Sequence, residues 1–181
     1  EWGSMSMTSV CAFLDISERI GIDFKTVYAF DSFLGLPKET EGIYQNPDWP
    51  EKAFCSLKFW NVDTVPEVLA CLYKKVNKYR THVSIIPGWY KDTLTKKMAE
   101  QMISQGSFFS IDTDIHKSCY ECMDWVFQYD LAMLNSIWRF DDWNSTPLWT
   151  AGESLAHKEI TEKYGLKWEQ LTENIFRYDG K

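Results

Sequence analysis

Two short segments of this chain run from apolar, strand-forming residues directly into a pair of carboxylates. Residues 108–114 read FFSIDTD, and residues 136–143 read SIWRFDDW. β-Branched and aromatic residues favour strands, and an abrupt change to acidic residues marks the end of each strand. If the two strands are parallel neighbours, their carboxyl ends meet at one edge of a sheet, where open α/β sheets bind ligands. We therefore expect Asp112, Asp114, Asp141 and Asp142 to lie together at a ligand-binding edge.

Four carboxylates at one edge repel each other strongly unless some take up protons or a cation neutralises them. A hard, oxygen-seeking divalent ion such as Mg²⁺ is the natural cation for such a group. The alternative is that each pair only caps the helix that follows it, where the helix dipole stabilises a carboxylate. Two pairs at two strand ends favour the metal site over two separate caps.

Strands and helices alternate along the rest of the chain. Apolar runs predict further strands at residues 26–30 and 82–86 and one or two closing strands within residues 167–178. Apolar residues at helical spacing predict helices at residues 9–20, 65–79, 95–105, 118–127 and 152–164. This alternation predicts a three-layer α/β fold with a mainly parallel sheet, in a single domain spanning residues 1–181.

Composition excludes several classes of protein. The formal net charge is −7 without a cluster of Lys and Arg, so nucleic acid is not an expected partner. No apolar run approaches the ~20 residues of a membrane helix, so we expect no membrane partner and a cytoplasmic location. The Cys119-x-x-Cys122 pair lacks the second Cys or His pair of a zinc site and is expected to be buried on one helix face.

Residues 35–60 hold three prolines and scattered aromatic residues with little periodicity. A loop of this length in a compact domain is usually functional or disordered. We expect residues 42–62 to form a lid or substrate loop, and some of the aromatic residues to line a pocket.

Three further segments suit a nucleotide-like ligand. Glu1-Trp2-Gly3 precedes a helix, where a glycine lets a ligand approach the backbone near a helix N-terminus. Asp31 ends the next strand, in the place where dinucleotide folds bind ribose hydroxyls, although it could also be a simple turn residue. Gly88-Trp89 follows a third strand, where the indole suits stacking on a flat ring or anchoring of the core.

These segments together resemble the macrocin O-methyltransferase family. FDSFLGLP at residues 30–37 is similar to the family's FDSFEGLP, and GWYKDTL at residues 88–94 to its GxFxDTLP. IDTDIHKS at residues 111–118 is similar to xDxDLYxS, and FDDW at residues 140–143 matches the family's FDDW. Gly152 and Glu153, with Ala156 and Glu159, resemble the GE..A..E stretch. Five motifs in the right order cover most of the chain.

The resemblance implies a Rossmann-like methyltransferase that binds S-adenosylmethionine and uses Mg²⁺ to methylate a hydroxyl of a small molecule of the sugar or natural-product type. It implies that Asp112, Asp141 and Asp142 ligate the metal and that Asp114 is the general base. The residues expected to bind the cofactor are Glu1, Gly3, Asp31, Ser32, Gly88, Trp89 and Asp112. Relatives of this type are often oligomeric, so a homo-oligomer is also expected.

The chain departs from the family pattern in places. Met7 and Asn135 occupy the places of glycines, and His116 replaces a tyrosine beside the aspartates, close enough to Asp114 to reach the acceptor. The family has a full apolar strand before the glutamate, whereas this sequence begins at Glu1, so we expect either that residues preceding Glu1 are missing or that the N-terminal strand is truncated. Two alternatives stay open: a metal-dependent glycosyltransferase, because Asp112-x-Asp114 is also a nucleotide-sugar signature, and a non-catalytic relative that only binds cofactor.

Overall fold

The computed structural model of the chain describes residues 1–40 and 42–181. The strands in these residues are β1 (Thr26–Asp31), β2 (His82–Pro87), β3 (Gly106–Ile111), β4 (Ala132–Phe140), β5 (Lys167–Thr172) and β6 (Ile175–Gly180). The helices are α1 (Thr8–Arg19), α2 (Ser56–Trp60), α3 (Val65–Val76), α4 (Tyr90–Thr93), α5 (Lys96–Glu100), α6 (His116–Gln128) and α7 (Gly152–Tyr164).

The strands form a mainly parallel sheet that closes with an antiparallel hairpin. β1 pairs with β2 and β3 pairs with β4, in both cases in parallel. β6 runs antiparallel to β4, and β5 runs antiparallel to β6. The hairpin therefore extends the parallel core on the side of β4, as expected for the closing strands.

Residues 1–3 join the two halves of this sheet. Trp2 bridges in parallel to Phe30 of β1 and to Ile111 of β3. The Trp2 N–H donates to the Ser110 carbonyl at 3.0 Å, and the Gly3 N–H donates to the Phe30 carbonyl at 3.1 Å. The spatial order is thus β2, β1, Trp2, β3, β4, β6, β5.

Helices cover both faces of the sheet. Successive strand residues point to opposite faces, and the neighbours Ala29 and Phe30 of β1 pack into two different hydrophobic clusters. Ala29 packs in the cluster built with α1 and α3, whereas Phe30 packs in the cluster built with α6 and α7. Three layers result, which confirms the predicted fold class.

Most predicted elements match the structure within a few residues, but one helix is shorter than predicted and two short helices were not predicted. Residues 95–105 were expected to be helical, whereas α5 ends at Glu100. The chain must leave the helix there because Gly106 starts β3 and its N–H donates to the Leu131 carbonyl at 2.7 Å. The two helices that were not predicted are α4, a single turn after Gly88, and α2, which lies in the segment expected to be a loop.

Met7 and Asn135, which stand where the family has glycines, both adopt the left-handed backbone conformation. Their φ values are 60° and 65°. This conformation favours glycine and is the physical reason for the family pattern. The Met7 side chain is fully buried against α1 and α3 and is not among the residues that line the strand-end cleft described below. Met7 therefore fills the core and does not line the cleft.

The remaining sequence expectations concern cysteines and membrane helices. Cys119 and Cys122 are fully buried in α6, and both are free thiols. Their expected role as small core residues is confirmed. None of the helices within residues 1–40 and 42–181 is long and apolar enough to cross a membrane.

Candidate active site

A cleft of about 560 Å³ opens at the carboxyl ends of the parallel strands. It lies where β1, β2, β3 and β4 give way to loops, the edge at which open α/β sheets bind ligands. The residues that line it include most of the predicted site. These are Gly3, Asp31, Ser32, Gly88, Trp89, Asp112, Asp114, Asp141 and Asp142.

The expected group of aspartates is present at this edge. One carboxylate oxygen from each of Asp112, Asp114 and Asp142 lies within 4.8 Å of the others. Burial, and then repulsion from the neighbouring carboxylates, raises the pKa of Asp112 and of Asp114 to about 8. The same causes raise the pKa of Asp142, although a hydrogen bond from Ser145 opposes the shift. Such a group is costly when fully ionised, and a divalent cation would relieve the repulsion.

Asp141 stands beside this group and has a counter-charge. Its carboxylate forms an ion pair with the guanidinium of Arg139, which also donates to the Ser110 hydroxyl at 3.3 Å. Among the neighbouring charges that raise the pKa of Asp112, Asp141 contributes most. Asp141 therefore lies close to Asp112, although the three oxygens within 4.8 Å of each other come from Asp112, Asp114 and Asp142. The predicted metal ligands Asp112, Asp141 and Asp142 stay a prediction.

Asp114 sits in a strained loop between β3 and α6. Its φ is 62°, in the left-handed region that a non-glycine residue enters only at a cost. Strain of this kind persists where the surrounding structure over-determines it, and it is frequent at functional sites. The geometry is compatible with the predicted role of Asp114 as a base.

On the side of β1, Gly3 and Asp31 organise the predicted cofactor loop. Gly3 has a φ of 81°, and a Cβ there would lie 1.5 Å from the Asp112 carbonyl oxygen. The Asp31 carboxylate accepts hydrogen bonds from the Met5 N–H at 2.7 Å and the Phe33 N–H at 2.6 Å. Asp31 is therefore more than a turn residue, because it fixes the loop between Gly3 and α1 in addition to lining the cleft.

Two residues singled out from the sequence do not line the cleft. Glu1, predicted to bind cofactor, accepts a hydrogen bond from the Ser9 hydroxyl at 2.6 Å and lines a separate cavity of about 360 Å³ between β1 and β3. His116 is not among the residues that line the cleft, and its Nε2 lies 2.8 Å from a carboxylate oxygen of Glu159 on α7.

Sequence reasoning gave no role to Arg139 or to Glu153. Glu153 is fully buried at the start of α7, and its carboxylate accepts the N–H groups of Thr113 and Asp142, both at 3.0 Å. The GE match in the sequence marked its position. Only the folded chain shows that its carboxylate reaches both aspartate loops.

The predicted lid lies against the cleft. Within residues 42–62, Trp49 and Phe54 line the cleft. The Ser56 hydroxyl at the start of α2 donates to the Met5 carbonyl at 3.1 Å. The segment thus packs against the loop that follows Gly3. Its predicted role as a lid stays a prediction.

Solved structures with a similar fold are methyltransferases. The O-methyltransferase NovP is 19% identical to this chain with a TM-score of 0.61, over 94% of this chain and 66% of that chain. CalS11, a calicheamicin methyltransferase, is 16% identical with a TM-score of 0.68, over 99% of this chain and 70% of that one. In its apo structure, described as that of a TDP-rhamnose 3'-O-methyltransferase, CalS11 gives a TM-score of 0.58. This chain spans slightly less than two thirds of the NovP chain. At these identities the likeness establishes the Rossmann-like methyltransferase fold alone.

The sequence comparison establishes the family as well as the fold. No curated protein sequence matches this chain. The profile of the macrocin-O-methyltransferase (TylF) family, in contrast, matches residues 3–177. That range contains the cleft, its aspartates and α7. This protein therefore belongs to the macrocin-O-methyltransferase (TylF) family.

Proposed function

We propose that this chain is an S-adenosylmethionine-dependent O-methyltransferase that acts on a hydroxyl of a small molecule of the sugar or natural-product type, with Mg²⁺ as the metal. The observation that carries the proposal is the group of aspartates from two strand ends in one cleft, in a chain of this family. The family match does not favour a glycosyltransferase, and that reading also leaves Asp141 and Asp142 without a role.

The cleft suits the cofactor in size and shape. A volume of about 560 Å³ lies within the range of small-molecule sites. Gly3, Asp31 and Ser32 line the side of the cleft near the start of α1. Trp89 presents a half-buried indole on which a flat ring can stack.

The aspartates suit a divalent cation. We assign Asp112, Asp141 and Asp142 as its ligands, since carboxylate oxygens are the donors that Mg²⁺ prefers. Arg139 offsets part of the negative charge near Asp141. Burial, and then repulsion from Asp141 and Asp142, raises the pKa of Asp112, and a bound cation would relieve that repulsion.

S-adenosylmethionine supplies an activated methyl group, and a bound Mg²⁺ supplies a Lewis acid that makes a hydroxyl more acidic. Asp114 lies within reach of Asp112 and Asp142 and accepts the proton of the acceptor hydroxyl at its carboxylate. The cleft residues otherwise act by holding two reactants in line, a contribution that can be very large.

Residues 42–62 act as the lid in this proposal. Trp49 and Phe54 of this segment line the cleft, so closure of the segment over the acceptor would place apolar surface against the reacting groups. Excluding water strengthens the electrostatic interactions inside such a site.

Formation of S-adenosylhomocysteine tests the proposal. The purified chain is incubated with S-adenosylmethionine and a panel of sugars, catechols and natural-product glycosides bearing neighbouring hydroxyls, with Mg²⁺ or with EDTA. We expect product only when both acceptor and Mg²⁺ are present, and product formation about 10²–10⁴-fold slower from Asp114→Asn. Binding of the cofactor without turnover on any acceptor would instead indicate a non-catalytic relative.

A further inference from the structure

A single buried side chain joins the two loops that carry the aspartates. One carboxylate oxygen of Glu153 accepts the Thr113 N–H at 3.0 Å and lies 3.4 Å from the Thr113 hydroxyl. The other oxygen accepts the Asp142 N–H at 3.0 Å. Thr113 lies between Asp112 and Asp114, so Glu153 bridges the end of β3 to the end of β4. The carboxyl group of Glu153 therefore holds the two loops at a fixed distance from each other.

Considered by packing alone, the position of Glu153 is unfavourable for an acidic side chain. Glu153 has no exposed surface, and burial raises the pKa of its carboxyl group well above the usual value. Repulsion from Asp142 raises it further. A buried acidic group next to other acids costs free energy, and an apolar side chain would often serve a core better. The hydrogen bonds that Glu153 accepts from two backbone N–H groups offset this free-energy cost. They also fix where the two loops lie.

Helix α7 fixes the loop on both sides of Asp114. Glu153 holds Thr113 before it, and Glu159 contacts the His116 ring after it at 2.8 Å. The start of the helix is itself constrained, because Gly152 has a φ of 56° and a Cβ there would lie 2.3 Å from the Thr146 hydroxyl oxygen. The helix thus presents Glu153 to the loops in one orientation and helps to maintain the left-handed backbone of Asp114.

We propose that Glu153 is a positioning residue that sets the separation of the two aspartate loops and thereby the affinity of the aspartate group for a divalent cation. The inference rests on the proposed function only for the presence of the cation. The bridge between the two loops is independent of it. Residues that orient metal ligands without touching the metal typically contribute 10–100-fold in affinity, so an effect of about this size is expected.

The test substitutes Glu153→Gln and measures Mn²⁺ binding by electron paramagnetic resonance, without cofactor. Glutamine keeps the size of the side chain but has one acceptor oxygen, so one of the two loops loses its contact. We expect Mn²⁺ affinity to fall about 10–100-fold. Amide hydrogen exchange should accelerate at Thr113 or Asp142. In turnover, kcat should fall while KM for S-adenosylmethionine stays within about twofold, since Glu153 does not line the cleft.

Glu162→Gln, at an exposed position on the same helix and outside the cleft, is the matched control. It removes the same charge but leaves both contacts of Glu153 in place, so Mn²⁺ affinity should stay within about threefold of the parent. Equal Mn²⁺ affinity in Glu153→Gln and the parent would overturn the inference. If that variant does not fold, rapid exchange of the Thr113 and Asp142 amides in the parent would overturn it instead. Failure of the proposed function would appear differently, as absence of Mn²⁺ binding in the parent itself.

Discussion

The carboxylate of Asp141 forms an ion pair with the guanidinium of Arg139, two residues earlier at the end of β4. The neighbouring Asp112 and Asp114 lack such a partner among the described residues, and the pKa of each is raised to about 8. The four aspartates therefore divide into one that is neutralised by an arginine and three whose oxygens crowd one another. This division makes the roles of individual aspartates separable by mutation.

Asp141→Asn is expected to weaken cation binding at least about tenfold, which corresponds to about 1.4 kcal/mol. The substitution removes one of the proposed ligands and leaves the Arg139 charge uncompensated beside the cation. Mn²⁺ titration measures the effect, and circular dichroism verifies the fold. Asp63→Asn, which removes the same charge at an exposed position away from the cleft, is the control. An unchanged Mn²⁺ affinity in Asp141→Asn would remove Asp141 from the ligand set.

Asp114→Asn is expected to spare the cation and to slow methyl transfer. General bases contribute about 10²–10⁴-fold, so kcat should fall by an amount in this range. Mn²⁺ affinity should remain within about threefold of the parent. Unchanged turnover would exclude Asp114 as the base. Loss of Mn²⁺ binding would instead make Asp114 a ligand, as the proximity of its oxygen to Asp112 and Asp142 allows.

Gly3→Ala is expected to lower the free energy of unfolding by at least about 3 kcal/mol, since a strained φ alone costs about 1–3 kcal/mol. The added Cβ would also collide with the Asp112 carbonyl group. Urea denaturation of both variants measures the cost. Gly21→Ala is the control, because its φ of 73° is similar while no described heavy atom lies within 4 Å of its Cβ. The control should lose about 1 kcal/mol. Equal losses in the two variants would contradict the close approach at Gly3.

His157 is expected to make the protein sensitive to mild acid. It is buried among Phe140, Trp143, Trp168 and Phe176, and neither ring nitrogen has a described hydrogen-bond partner. Burial lowers its pKa from 6.5 to about 3. The unfolded chain therefore binds a proton below pH 6.5 that the folded chain does not, and stability falls as the pH decreases from about 6.5 toward 3.

The contribution of His157 between pH 7 and pH 5 should be about 2 kcal/mol. Urea denaturation of His157→Phe at the two pH values should therefore show a loss that is smaller than that of the parent by this amount. His82→Gln, at an exposed strand end, should behave as the parent does. A parent-like pH dependence in His157→Phe would show that His157 is not the titrating group.

The sequence predicts the strand ends of this site well, because local signals determine them. The apolar runs before Asp31, Asp112 and Asp141 are strong strand formers, and each ends at the residue where the strand ends in the structure or next to it. The pairing of parallel strands then brings the acids to one edge. Local pattern and global fold agree at these residues, and this agreement makes the prediction possible.

The sequence does not predict contacts between distant segments in the same way. Glu153 lies 40 residues from Thr113, and nothing in its neighbourhood distinguishes a buried bridging acid from an exposed helix cap. Glu1 accepts a hydrogen bond from Ser9, which lines the cleft, while Glu1 itself lines the cavity between β1 and β3, and its predicted role stays a prediction. His116 is drawn to Glu159 because α6 and α7 pack side by side. In each case the partner is set by tertiary packing.

Calorimetric titration of S-adenosylmethionine into the folded chain, with and without Mg²⁺, tests the central claim most directly. We predict saturable binding to one site per chain. Trp89→Ala should weaken this binding, since the Trp89 indole lines the cleft and the cofactor ring would stack on it. An absence of saturable binding, in a chain that circular dichroism shows to be folded, would contradict the assignment of the strand-end cleft as the cofactor site.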